Sequence, residues 1–109
     1  MELAIKGCVF SAVGTAGQRC TTLRRLMVHE KVYDEVKSKM VKVYPSVKIG
    51  DQLDTTNLMG PLHTKAAVQQ YLTAIEEIKK QGGKLLVGGK VVESLKPGNY
   101  VEPAICEVD

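Results

Sequence analysis

The run Gly14-Thr15-Ala16-Gly17-Gln18-Arg19-Cys20-Thr21-Thr22 constrains this chain more than any other stretch. It is a Gly-rich break that separates an apolar segment from a strand-like one. Glycines at such a break let the backbone turn sharply and leave amides free to face a bound oxygen. A cysteine just after the break is presented at the mouth of a cleft. Arg19 stands beside it, and a neighbouring cation favours the reactive thiolate. On its residues alone Cys20 has two readings, a nucleophile or a small apolar side chain packed in a turn. The sequence identifies no base to go with it.

The segments around the break set the architecture. Residues 3–13 read as a buried helix, because Leu3, Ala4, Ile5, Val9, Phe10, Ala12 and Val13 are apolar over most of its circumference. Gly7 weakens it and Gly14 ends it. Residues 23–29 read as a strand with an apolar second half. Residues 32–44 return to helical spacing, with Val32, Val36, Met40 and Val43 on one face and Pro45 as the stop. Residues 46–59 are a polar loop. A third helix starts near Thr64, a fair N-cap, and runs to Gln81, with Gly82-Gly83 closing it. Residues 84–87 are a short strand followed by a turn at Gly88-Gly89. Residues 100–108 form a last strand, with Pro103 implying an edge or bulge. Strands separated by long helices predict an α/β fold with a parallel-type sheet flanked by helices. Three strands are few for such a sheet, and the first helix has no capping signal. The chain therefore reads as part of a larger layered structure.

Composition narrows the function. The 109 residues make about one small domain, and 44% hydrophobic with 25% charged residues is close to a globular average. Aromatics are scarce, so the core rests on Val, Leu, Ile and Ala. A net charge of +3, with basic and acidic residues interleaved, argues for a solvated face and against nucleic-acid binding. No apolar run reaches the roughly 20 residues of a membrane span, and no signal peptide is expected. Three widely spaced cysteines without a C-x-x-C pair suggest neither a zinc site nor a disulfide framework, and fit a reducing compartment.

Other motifs carry less. Gly88-Gly89-Lys90 fails the P-loop pattern, and Gly14 with Gly17 does not complete G-x-G-x-x-G. His29 and His63 have no spaced partner for a metal, so no metal site is expected. A Cys20–His63 dyad is left open, with nothing in the sequence to support it. Glu76-Glu77 precedes Lys79-Lys80 on a solvated helix face. Cys8 and Cys106 read as structural.

The segment Val13–Thr22 resembles the catalytic cysteine segment of the NAD(P)-dependent aldehyde dehydrogenases, whose nucleophile motif is Gly-Gln-x-Cys. The resemblance continues through Arg24–Glu30, Asp34-Glu35-Val36, Val47–Gly50, Gly60–Lys65, Gly82-Gly83-Lys84, Gly88-Gly89 and Gly98–Pro103. The variants Gly-Thr-Ala-Gly-Gln-Arg-Cys-Thr-Thr and Gly-Pro-Leu-His-Thr-Lys resemble the antiquitin branch, whose members oxidise α-aminoadipic semialdehyde in lysine breakdown.

The resemblance implies a small-molecule aldehyde substrate and a catalytic Cys20. Its thiolate would attack the aldehyde carbon to give a thiohemiacetal. Hydride would pass to the nicotinamide, and water would hydrolyse the resulting thioester. The backbone N–H of Cys20 would help hold the oxyanion. Arg19 would hold the amino-acid end of the substrate, and Thr21 would line the aldehyde pocket. As ordinary loop residues, Arg19 and Thr21 also have a purely structural reading.

The resemblance further implies that residues 1–109 are the opening part of a catalytic domain. The NAD (or NADP) site, the base glutamate, the oxyanion asparagine and the oligomerisation strand would lie in other regions. A full-length member would be a homo-oligomer in the cytoplasm or mitochondrion. The isolated chain is expected to be inactive, and to be molten or to aggregate. The alternative expectation is a truncated, inactive paralogue acting as an interaction or structural module.

Overall fold

A computed structural model describes all of residues 1–109. Three helices carry most of the chain: α1 (Glu2–Val13), α2 (Glu30–Val43) and α3 (Lys65–Lys80). Two short strands follow, β1 (Lys84–Val87) and β2 (Ile105–Glu107). The core gathers Ile5, Val9 and Val13 from α1, Met40 from α2, then Tyr44, Met59 and Val101. Ile5, Val9 and Val13 recur every fourth position, so α1 buries one stripe rather than its whole circumference. Leu3 is 83% exposed and Phe10 58% exposed on its other sides.

Local chemistry explains the helix ends. Thr64 caps α3 by accepting from the Ala67 N–H at 3.0 Å. The helix closes when Gly82 N donates to Lys79 O and Gly83 N to Ile78 O, the paired bonds of a Schellman end. His29 caps α2, its Nδ1 accepting from Lys31 N at 3.2 Å. Pro45 follows α2 inside a single 3₁₀ turn, Tyr44–Ser46, and halts the helix.

The α/β class holds, but the sheet expected within these residues is not parallel. It is one antiparallel pair, with Lys84 opposite Glu107, Leu85 opposite Cys106, and a bulge before Val87. The cause lies in the connection. Residues 88–104 hold only the 3₁₀ turn Glu93–Leu95 and no crossover helix, so the chain doubles back. The single parallel contact is an isolated bridge, Ile49 to Met59. The last strand is shorter than residues 100–108. Val101 makes only an isolated bridge to Val91, and Pro103 interrupts the ladder before β2. Residues 22–29 carry no helix or strand assignment, so the strand expected over 23–29 is not formed within this chain. Leu23 N is bonded to Ser11 O at 3.0 Å and anchors the start of that segment to α1.

Two polar knots fix the second half. Tyr71 Oη donates to Glu102 O and accepts from Gly89 N at 2.9 Å, locking α3 to the segments flanking the strand pair. Burial pushes the Tyr71 phenol up to about 12, so it stays protonated and can donate. Glu107 Oε2 on β2 accepts from Tyr33 Oη and Lys37 Nζ on α2, each at 2.6 Å.

Candidate active site

The nucleophile candidate sits where α1 runs out. After Gly14 the backbone enters the left-handed region at Thr15 (φ 57°), Ala16 (φ 53°) and Gly17 (φ 72°). Two of these are not glycine, and each such residue costs about 1–2 kcal/mol. Strain of this kind gathers at sites where a chain must present one side chain in one direction. Immediately afterwards Arg19-Cys20-Thr21-Thr22 form a tight turn. Thr22 N donates to Arg19 O at 3.2 Å, and Arg19 N donates to Thr22 Oγ1 at 3.2 Å. Arg24 braces it from outside, one Nη bonding Arg19 O at 3.1 Å and the other Thr22 O at 3.2 Å.

Cys20 and Thr21 occupy the two central positions of this turn, and both are exposed. The turn's hydrogen bonds run through Arg19 and Thr22, so the Cys20 amide is not consumed in holding its shape. An exposed thiol beside an uncommitted amide is what addition to a carbonyl requires: sulfur for the carbon and N–H for the developing oxyanion. All three cysteines are free thiols; Cys8 and Cys106 are half-buried. Burial pushes the Cys106 thiol up, away from reactivity.

Arg19 does not point along the turn. Its guanidinium folds back over α1, with one Nη donating to Phe10 O at 3.3 Å and the group lying 5.1 Å from the Phe10 ring centre. A cation at the C-terminal end of a helix meets the negative end of the helix dipole. Gly14 makes room for this, since a Cβ there would stand 2.6 Å from the Arg19 Nη. Arg19 Nε is buried without a partner.

Gln18, named from sequence only as part of the Gly-Gln-x-Cys motif, joins two distant segments. Its side-chain N–H groups donate to Thr15 O at 3.0 Å and Pro61 O at 3.2 Å. Its Oε1 accepts from His63 N at 3.0 Å and lies 3.1 Å from His63 Nδ1. His63 therefore meets the Cys20 turn through Gln18. The distance along the chain, 45 residues, left no local pattern from which to read the contact. Two concave surfaces lie away from Cys20: a shallow one along α3 past Ala66, Gln70 and Ala74, and a crevice between Tyr44, Val47, Val87 and Pro103.

The chain matches known proteins over its whole length. The family model described as the aldehyde dehydrogenase family matches residues 1–109. The chain is 51% identical over 105 residues to α-aminoadipic semialdehyde dehydrogenase of Bos taurus, covering 96% of this chain and 19% of that protein. It is 53% identical over 108 residues to aldehyde dehydrogenase family 7 member A1 of Brassica napus, covering 99% of this chain and 22% of that protein. The crystal structure of betaine aldehyde dehydrogenase from Staphylococcus aureus in complex with NAD+ superposes with a TM-score of 0.94 at 25% identity, over 99% of this chain and 22% of that one. The chain thus spans about a fifth of the length of the curated relatives it matches.

Proposed function

We propose that this chain, which belongs to the aldehyde dehydrogenase family, is the nucleophile-bearing part of an enzyme that oxidises a semialdehyde of the α-aminoadipic type to its acid. The observation that carries the reading is the exposed Cys20 at the centre of a turn pinned on both sides. In this reading the Cys20 thiolate adds to the aldehyde carbon. A carbon–sulfur bond forms, the carbonyl π bond opens, and the oxygen becomes an oxyanion facing the Cys20 N–H. Thr21, the other central residue of the turn, lines the aldehyde pocket. Arg19 receives the carboxylate end of the substrate. One of its Nη groups is engaged with Phe10 O, and the other makes no hydrogen bond within the chain.

The family's oxidant is a nicotinamide cofactor, NAD or NADP, and the S. aureus relative was crystallised with NAD+. The 109 residues do not fit it. The starts of α2 and α3 are closed by their own caps, His29 and Thr64, and Glu2 and Glu30 put a negative charge in the first turns of α1 and α2. The steps assigned to this chain therefore end at the covalent adduct. The cofactor is assigned to other regions of the full-length enzyme, which is also taken to be a homo-oligomer of the cytoplasm or mitochondrion. No helix is long and apolar enough to cross a membrane. No hydrogen bond joins either histidine to Cys20: His29 Nδ1 caps α2 and His63 Nδ1 faces Gln18. Loss of a base costs about 10²–10⁴-fold in rate, so the 109 residues alone are inactive.

The test is a hybrid in which residues 1–109 replace the matching segment of the Bos taurus enzyme. The hybrid is expected to form NADH from α-aminoadipic semialdehyde. Arg19→Met is expected to raise KM for this substrate more than for an aldehyde lacking the carboxylate. An inactive but folded hybrid would overturn the assignment. Steady NADH formation by the free 109-residue chain would overturn the division of labour.

A further inference from the structure

We infer that Gln18 is a positioning residue for the Cys20 turn, and that His63, held in its Nδ1–H form, completes the clamp. The inference rests on Cys20 being the nucleophile. It starts from the way one amide is used from both ends. The nitrogen of Gln18 faces two carbonyl oxygens, Thr15 O and Pro61 O, so that end must be the NH₂ group. The other end is then the oxygen, which can only accept. It faces the His63 backbone N–H and the His63 ring at Nδ1. Two acceptors cannot bond each other, so Nδ1 must carry a proton. The imidazole is held as the Nδ1–H tautomer, or as the cation, with Nε2 left outside the clamp.

The consequence is geometric. Gln18 lies two residues before Cys20 and touches the strained backbone at Thr15. Its far contacts, Pro61 and His63, lie just ahead of α3, and Thr64 caps that helix. The start of the nucleophile turn is thus referenced to α3, while Arg19 and Arg24 reference its body to α1 and to the turn itself. Neither helix alone would fix where the thiol stands. A displacement of about 1 Å at a reacting group can reduce the rate by about 10²-fold without touching binding.

The hybrid enzyme tests this. Gln18→Met keeps the side-chain volume and removes every hydrogen bond. It is expected to lower kcat about 10- to 100-fold while KM changes less than about threefold. His63→Asn keeps a side-chain N–H near the place of Nδ1 and is expected to stay within about threefold of the parent, whereas His63→Phe fills the space without a donor and is expected to fall with Gln18→Met. The double variant Gln18→Met, His63→Phe is expected to be no worse than Gln18→Met, because the two act through one contact.

A normal kcat in Gln18→Met, a change confined to KM, or equal behaviour of His63→Asn and His63→Phe would overturn the inference. If Gln18→Met lowers the thermal midpoint of the hybrid, the comparison of the two His63 variants decides. Cys20→Ala separates this failure from that of the parent reading. A silent Cys20→Ala with an unaffected Gln18→Met removes only the positioning role, and an active Cys20→Ala removes the nucleophile itself.

Discussion

The two ends of this molecule are built to different standards of closure. In the half made by α3, β1 and β2, polar groups find partners inside the chain. Tyr71 bridges Gly89 and Glu102, Glu107 collects Tyr33 and Lys37, and the Schellman bonds finish α3. In the half made by α1 and residues 14–29, the turn is tightly bonded but its surroundings are open. Leu3 is 83% exposed and Met27 96% exposed, and residues 22–29 run without a strand partner. Large apolar groups standing in water are the mark of a contact surface. The Cys20 turn is shaped by bonds among its own near neighbours, whereas these residues leave its surroundings open.

Substitutions can break or sharpen this contrast. Gly88→Ala should do most damage to the closed half. Gly88 has φ +74°, and a Cβ there would stand 2.0 Å from Pro103 O, a backbone atom that cannot swing away. We expect a loss of about 3 kcal/mol, read from the urea midpoint of the hybrid enzyme. An unchanged midpoint would mean that the hairpin region is not the stable half. Tyr71→Phe should follow, at about 2 kcal/mol, because it orphans the Gly89 N–H and the Glu102 carbonyl together. A loss under about 0.5 kcal/mol would show that water replaces the hydroxyl at both.

The Glu107 knot should give a smaller, pH-dependent effect. Bonds from Lys37 and Tyr33 hold the Glu107 carboxyl below its ordinary value of 4.5. A depressed carboxyl stabilises the fold above that value, and the contribution is lost as pH falls through the depressed one. Glu107 also raises Lys37 above 10.5 and Tyr33 above 10.0, so the same knot loosens as pH rises through those raised values. Glu107→Gln should flatten the midpoint-versus-pH curve at its acid end, and an unaltered curve would remove the knot from the account. In the open half the smallest change is expected. Thr15→Asn places a residue tolerant of left-handed backbone at φ 57° and should raise the midpoint by about 0.5 kcal/mol. A lowered midpoint would assign the strain at Thr15 to its hydroxyl bond with Gly14 O instead.

Legibility in the sequence follows the same division. The C-terminal end of α2 and both ends of α3 were readable because Pro45, Thr64 and Gly82-Gly83 act on their own neighbours, whereas the His29 cap at the start of α2 was not. The strand over 23–29 was not, because an apolar extended pattern sets the backbone's preference but cannot name the strand that pairs with it. Parallel pairing was expected from helix spacing, and it failed where no helix separates Val87 from Ile105. At the candidate site, the turn that carries Cys20 was legible from the glycines. The backward fold of Arg19 onto Phe10 and the reach of Gln18 to His63 were not, because both are tertiary contacts with no periodic signature.

The most direct measurement compares the three cysteines in the hybrid enzyme. NADH formation from α-aminoadipic semialdehyde would be followed for Cys8→Ala, Cys20→Ala and Cys106→Ala. Cys20→Ala should lose at least about 10³-fold in kcat, while the other two stay within about threefold of the parent once folded enzyme is counted. Persistent turnover in Cys20→Ala, or an equal loss in all three, would contradict the central claim that the exposed thiol of the Gly-Gln-Arg-Cys turn attacks the aldehyde.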